Sequence, residues 1–376
     1  MDCWFEDRLA GRSRRLSGQV ARIQAAQPQE LPAAWAAIEA ARRAGHWVAL
    51  LLDYELGEWL LPQSLRAPAD GPNPPARTDL PPRLTALVFE HAELTGPWTG
   101  ETGARVAAVR PRQSRADYID RIERIRAGIA QGEFYQVNYT QPLDVRIEGD
   151  PAALYRDIAQ RHPVAHAAYI RDGRRTVLSF SPELFVARQA ERLVTRPMKG
   201  TAPRSADPDE DRRLGQRLLA SEKDRAENLM IVDLLRNDLG RLAQTGSVSV
   251  DALFSLERYP TVWTLTSTVS AHVPDASLAE VLCALFPCGS ITGAPKISAM
   301  RRIRQLEVAP RGLYCGSVGW LAPDGDFSLN VAIRTLVLDD QGQGVYSTGG
   351  GIVHDSDPEL EWQECQWKAR ILGRPH

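Results

Sequence analysis

The sequence predicts an α+β fold built on large, mostly antiparallel sheets. The 376 residues are 43% hydrophobic, enough to bury a large core. Strand-like runs cluster, most densely over 164–199 and 313–348, instead of alternating with helices. That spacing argues against a doubly wound parallel sheet. No internal repeat and no low-complexity tail is visible.

The elements follow in order. Trp47 to Tyr54 reads as a buried strand, and Leu84 to Phe89 as another. Between them, residues 62–82 are proline-rich and read as a loop or linker. A short N-terminal region, 1–112, is expected to pack on the core of a larger region, 113–376. Ser114 and Asp117 form a capping-box pair at the start of a helix. Tyr118, Ile122, Ile125 and Ile129 follow at helical spacing, and Gly132 closes it. A strand is expected from Phe134 to Tyr139. Asp150-Pro151 is a good N-cap and first position for the next helix. A long helix is expected over 221–243, with Ser221 and Asp224 at its start. Strands near 261–273 come next, then helices flanking a loop at 287–296. Further strands are expected at 313–321, 328–338 and 343–348, and a last helix from Asp357-Pro358.

The formal net charge of -2 gives no support for binding nucleic acid or an anionic membrane. The arginines at 301, 302 and 304 read as a solvated helix face. Five cysteines occur with no C-x-x-C pair, so neither a zinc ribbon nor a disulfide framework is expected. A reducing compartment fits better. The acidic N-terminus lacks an apolar signal region, and the run near Trp47 to Leu52 is too short to span a bilayer. A cytoplasmic protein is expected.

Several residues are candidates for chemistry. Lys199 follows the strand-like Arg192-Leu193-Val194-Thr195 and precedes a Gly-Thr turn. A lysine there is a nucleophile only if it loses its proton, which burial favours. Glu227 shares a helix face with Met230, Ile231 and Leu234, an expensive place for an unpaired carboxylate. Glu364 stands beside Trp362 and Cys365. It either helps to hold Mg²⁺, which takes few protein ligands, or makes an i,i+4 pair with Lys368. The loops Gly289–Lys296 and Gly349–Gly351 suit anion binding through backbone N–H groups. The first does not match a nucleotide-binding P-loop. Arg334 lies in a strand pattern, on one face with Ala332 and Leu336, and an inward arginine wants a carboxylate partner.

Six ordered segments together resemble the chorismate-utilising enzymes. They are Gly132–Asn138, Ser179–Phe185, the Lys199 run Thr195–Thr201, Ser221–Asn228, Gly289–Lys296 and Gly349–Asp357. The resemblance covers about residues 113–373 and implies a fold of two large antiparallel sheets packed face to face, with helices outside. Two positions choose among the siblings. Aminodeoxychorismate synthases of this family carry lysine at the site of Lys199, where anthranilate synthases typically carry alanine. Isochorismate and salicylate synthases carry a water-activating lysine at the site of Gln136. The pair Gln136 and Lys199 therefore points to amination of chorismate, on the route to p-aminobenzoate and folate. A neutral amide cannot deprotonate water, whereas an amine can attack carbon.

The resemblance also implies a division of labour. Glu227 and Glu364 would hold Mg²⁺ on the ring carboxylate of chorismate. Arg334, Tyr314 and the backbone at Gly349 and Gly351 would grip the enolpyruvyl carboxylate. Ser290, Thr292 and Lys368 would line the same pocket. Lys199 would form a covalent adduct that ammonia displaces. No Cys-His-Glu glutaminase pattern is read in the chain, so the ammonia is expected from a separate glutamine amidotransferase subunit. Three features depart from the family. Thr264 stands where many relatives have a histidine thought to assist the leaving hydroxyl. Cys288 replaces a usual glycine and reads as a packing change. No N-terminal Leu-Leu-Glu-Ser element is seen, so no tryptophan site or feedback inhibition is expected. The competing readings are anthranilate synthase chemistry and a chorismate-binding subunit without turnover.

Overall fold

The computed structural model describes residues 2–65, 81–100, 102–173, 175–260 and 262–373. Most of the proline-rich 62–82 stretch lies outside them. The strands in chain order are β1 (Cys3–Asp7), β2 (Arg12–Ala25), β3 (Trp47–Leu52), β4 (Leu84–Thr95), β5 (Arg105–Pro111) and β6 (Gln136–Glu148). They continue with β7 (His166–Arg171), β8 (Thr176–Ser181), β9 (Leu184–Gln189), β10 (Arg192–Arg196), β11 (Met198–Pro203) and β12 (Ser249–Arg258). The last are β13 (Val262–His272), β14 (Gly293–Ala294), β15 (Ser317–Leu321), β16 (Phe327–Asn330), β17 (Thr335–Leu338) and β18 (Gln343–Ile352). The helices are α1 (Leu31–Arg43), α2 (Leu56–Leu60), α3 (Arg115–Ala130), α4 (Pro151–Arg161), α5 (Pro208–Ala220), α6 (Glu222–Gly240), α7 (Leu278–Leu285), α8 (Lys296–Leu306) and α9 (Pro358–Ala369).

The class is α+β as expected, but the strands do not divide into two sheets. They form one antiparallel ladder in the order β5-β6-β18-β17-β8-β7-β1-β2-β4-β3-β15-β16-β9-β10-β13. Both β11 and β12 pair with β13, and the short β14 pairs with the start of β6. The physical reason is β2. Its first residues pair with β1 on one side and β4 on the other, and β1 pairs in turn with β7. A register shift between Gln19 and Ala21, beside Gly18 at φ +71°, bends the strand along its length. The ladder therefore turns back at β1 and β2 instead of ending there.

Residues from both arms meet in one apolar cluster. Ala49, Leu51, Leu87 and Phe89 come from one arm, and Ala168, Ile170 and Val177 from the other. The opposite face of β3 and β4 (Val48, Leu50, Ala86, Val88) packs in a cluster with Ile38, Ile122, Ile231 and Leu282 of the helices. A third cluster covers β6, β8 and β17 with Leu154, Tyr155 and Ile158 of α4. Strands on either side of residue 112 share the ladder, since β3 pairs with β15 and β1 with β7.

The helix starts match their local chemistry. Ser114 accepts the N–H of Asp117 at 3.1 Å, and its capping box is complete. Ser221 accepts the N–H of Asp224 at 3.3 Å. Asp357 accepts the N–H groups of Glu359 and Leu360 at 2.9 and 3.0 Å. Two expected strands change. The 328–338 strand is broken at 331–334, where Arg334 has φ +50°. The 313–321 strand begins only at Ser317, after a turn with Cys315 at φ +62°. Among the described residues no helix is long and apolar enough to cross a membrane.

Candidate active site

The site is a cavity of about 280 Å³ whose walls include Glu183, Lys199, Glu227, Ser290, Tyr314, Arg334, Gly349–Gly351, Glu361, Glu364 and Lys368. That size suits a small metabolite. Stretches far apart in the chain supply it, among them Glu183 between β8 and β9, Lys199 of β11, Glu227 of α6, Ser290 after α7, Tyr314 before β15, Arg334 before β17, the end of β18, and α9.

Glycine makes the close approaches possible. A Cβ at Gly351 would stand 2.6 Å from Gln136 Nε2 and 3.1 Å from Lys199 Nζ. The Gln136 amide and the Lys199 amine therefore converge over Gly351. Gln136 is fully buried, and neither of its amide atoms has a hydrogen-bond partner. A Cβ at Gly350 would stand 2.7 Å from Glu361 Oε2 and 3.9 Å from Glu364 Oε1. One glycine thus faces the amine and its neighbour faces the acids.

The acidic wall is Glu227, Glu361 and Glu364. Burial raises the pKa of Glu227, against the pull of Lys199 and Lys223. Burial also raises Glu361, which accepts the Ser356 hydroxyl at 2.8 Å. Burial would raise Glu364 too, but the Lys368 ammonium at 2.5 Å outweighs it and holds the carboxyl below its usual range. The i,i+4 pair is thus made. Lys368 also donates to the Gly349 carbonyl at 2.7 Å; burial works against its charge, but the Glu364 carboxylate outweighs that and raises the Lys368 pKa above its usual value. No set of three or more acidic, histidine or cysteine side chains is gathered as a metal cage among the described residues. Half-buried, mutually repelling carboxylates nonetheless fit Mg²⁺, which takes one or two protein oxygens and the rest from substrate and water.

The opposite wall carries Arg334. Its left-handed backbone turn sets the side chain into the cavity wall instead of on a regular strand face. Burial works against its charge. The side chains of Lys199, Glu227 and Arg334 make neither hydrogen bond nor salt bridge among the described residues. An amine, a carboxylate and a guanidinium therefore face one cavity unpaired, and half-buried charges left this way suit a charged ligand.

Glu183 is the residue that sequence reasoning missed. It is 3% exposed, and burial pushes its carboxyl up to about 7, against the Ser290 hydrogen bond and the Lys199 charge. Ser290 Oγ donates to it at 2.7 Å. The available signal was a lone carboxylate inside the apolar run Ser179–Phe185. A group with that pKa holds or releases a proton near neutrality.

Other named residues take supporting places. Thr292 is not on the cavity wall; its hydroxyl turns into its own loop and donates to the Cys288 carbonyl at 3.0 Å. Cys288 Sγ touches Ser290 Oγ at 3.2 Å. Thr264 is fully buried, off the wall, and donates to the Gly200 carbonyl at 3.0 Å. Buried Arg311 frames the floor. It donates to the carbonyls of Ile291 and Asn138 at 2.9 and 2.6 Å and pairs with Glu307 at 2.7 Å.

Comparison with known proteins decides the family. The model for the chorismate binding enzyme family matches residues 2–374. The chain belongs to the chorismate binding enzymes. It is 44% identical over 263 residues to aminodeoxychorismate synthase component 1 of Salmonella typhimurium, covering 70% of this chain and 58% of that protein. It is 40% identical over 260 residues to anthranilate synthase component 1 of Aquifex aeolicus, covering 69% of this chain and 52% of that protein. The chain thus matches less than two thirds of the length of either. Among solved structures, anthranilate synthase component I from Streptococcus pneumoniae TIGR4 superposes with a TM-score of 0.84 at 24% identity, covering 96% of this chain and 92% of that one. The menaquinone-specific isochorismate synthase from Escherichia coli gives 0.76 at 20%, covering 99% and 88%. These two likenesses concern the fold. Members named for aminodeoxychorismate and members named for anthranilate lie at similar distances, so the choice between them falls to the site.

Proposed function

We propose that this chorismate binding enzyme aminates chorismate at C4, giving 4-amino-4-deoxychorismate with the enolpyruvyl group retained. The observation that carries the reading is the Lys199 amine over Gly351, with the buried Gln136 amide behind it, on the wall of a cavity that also holds an unpaired arginine and an unpaired glutamate. Arg334 would bind one carboxylate of the substrate, helped by Tyr314 and the backbone of Gly349–Gly351. Glu227 and Glu364 would hold Mg²⁺, whose charge would neutralise the other carboxylate. The Lys199 amine attacks C2 as the C4 hydroxyl leaves, and the ring double bond shifts. Glu183, which lines the cavity and whose carboxyl burial raises to about 7, would give the departing hydroxyl its proton. Ammonia then attacks C4, the double bond returns, and Lys199 is expelled. Splitting one substitution into two avoids direct displacement at C4.

Ammonia would reach this chain from a glutamine amidotransferase subunit, as the name "component 1" of the Salmonella relative suggests for that protein. Anthranilate formation is the second reading, favoured by the Aquifex relative. It would need pyruvate elimination, for which a nucleophilic lysine has no use. The deciding experiment incubates the purified chain with chorismate, Mg²⁺ and an ammonium salt at mildly alkaline pH, with mass spectrometry of the product. Aminodeoxychorismate supports the reading. Anthranilate or isochorismate overturns it, as does a lack of turnover that persists after an amidotransferase partner and glutamine are added.

A further inference from the structure

We propose that Thr264 positions the Lys199 amine, by holding the backbone bulge from which the lysine projects. The proposal rests on the amination reading for its kinetic consequence, but its structural part stands on the strand geometry alone.

The pairing of β11 with β13 is regular at Met198 with Thr266 and at Lys199 with Leu265. It then slips, so that Thr201 faces Thr264 and Gly200 falls outside the register. Gly200 is the extra residue of a β-bulge, a device that re-aims neighbouring side chains. It has φ +84°, and a Cβ on it would stand 2.9 Å from the Cβ of Asp224 on α6. Only glycine fits there, so the bulge is pressed against the helix. The Gly200 carbonyl needs a partner outside the paired register, and the Thr264 hydroxyl provides it at 3.0 Å.

The next rung is tied to the same helix. The carbonyl of Leu265, opposite Lys199, accepts from Asn228 Nδ2 at 3.3 Å. Ser267 Oγ donates to Asn228 Oδ1 at 2.6 Å. Asn228 is fully buried and follows Glu227 on α6. The polar groups on both sides of the Lys199 rung therefore relate the amine to Glu227 through backbone contacts. Thr264 lies off the cavity wall, so it reaches the reaction only through this frame. Removing its hydroxyl leaves a carbonyl without its donor and frees the bulge to flatten. A misplacement of about 1 Å at a reacting group costs on the order of a hundredfold in rate.

The test compares Thr264→Val, which keeps the shape and removes the hydroxyl, with Thr264→Ser, which keeps the hydroxyl. Steady-state amination is measured with chorismate, Mg²⁺ and ammonium. Independently, reductive methylation by formaldehyde and cyanoborohydride, mapped by mass spectrometry, reads the reactivity of Lys199 against Lys223 and Lys368. The expected result is a fall in kcat of roughly ten- to a hundredfold for Thr264→Val with KM for chorismate within about twofold. Lys199 alone among the three lysines should change its methylation rate, and Thr264→Ser should behave like the parent in both assays. Parental kcat and parental Lys199 reactivity in Thr264→Val would overturn the proposal. Equal losses in both variants would also overturn it, since they would mark a packing role. If the parent chain does not aminate chorismate, the functional reading fails, and the methylation pattern alone decides whether Thr264 orients Lys199.

Discussion

Lys199 and Glu183 carry different burdens in the same cavity. Lys199→Ala removes the proposed nucleophile and should lower amination at least about a thousandfold, with chorismate binding kept, as read by single-turnover kinetics beside titration calorimetry. Glu183→Gln removes the proposed proton donor and should cost about 10²- to 10³-fold in kcat. Glu183 also links stability to pH. Burial lifts its carboxyl from 4.5 to about 7, so the folded state binds the extra proton between those values. Stability should therefore fall as pH rises through that window, by a contribution on the order of 3 kcal/mol. Glu183→Gln should flatten the fall, and melting temperatures at pH 5.5 and 8 should differ less in the variant; an unchanged difference would refute the assignment. Much of this chemistry was legible at the residue scale. Glu227 and Arg334 stood out as costly residues in apolar patterns, and Lys199 by its place at a strand end before a Gly-Thr turn. Glu183 was hidden by Ser290, a partner 107 positions away in the chain whose hydrogen bond only the fold reveals.

At the scale of elements, local signals were readable and irregular ones were not. The starts of α3, α6 and α9 follow from capping residues within three positions of the helix. The Gly200 bulge and the break before Arg334 follow from the partners across the sheet and against α6, which no local pattern encodes. The edge strand β12 was missed for a similar reason. It bulges twice against β13, and its alternation is lost. α9 brings Glu361, Glu364 and Lys368 to the cavity from one helix. Asp357→Ala should cost about 1 kcal/mol of stability by urea denaturation and weaken the Mg²⁺ dependence of turnover, because the helix end that orients the acids frays. Gly351→Ala should behave differently. Its methyl would intrude on the Gln136 amide and the Lys199 amine, so activity should be lost while the melting temperature stays near that of the parent.

At the scale of the whole molecule, the fold class was readable and the topology was not. The strands β1 and β2 escaped notice because β2 carries four arginines and buries only three of its 14 residues, so no apolar alternation marks it. Those two strands convert an expected pair of sheets into one ladder. Arg311 acts at the same scale. It joins β6, the turn at Ile291 and the end of α8, and lies 4.4 Å from the centre of the Tyr54 ring. Arg311→Ala should destabilise the protein by about 3–5 kcal/mol, since the buried Glu307 carboxylate is left without its partner, and a urea titration would measure it.

The centre of the ladder is made from the beginning of the chain. Leu52 of β3 pairs with Ser317 of β15, and Cys3 of β1 with Ile170 of β7. A growing polypeptide emits these early strands long before their neighbours exist. Their bare edges must wait, and closing such distant pairs is slow. Assembly of this enzyme should therefore be a late, nearly all-at-once event, and a ribosome-bound fragment that stops short of β15 should depend on a chaperone to stay free of aggregates.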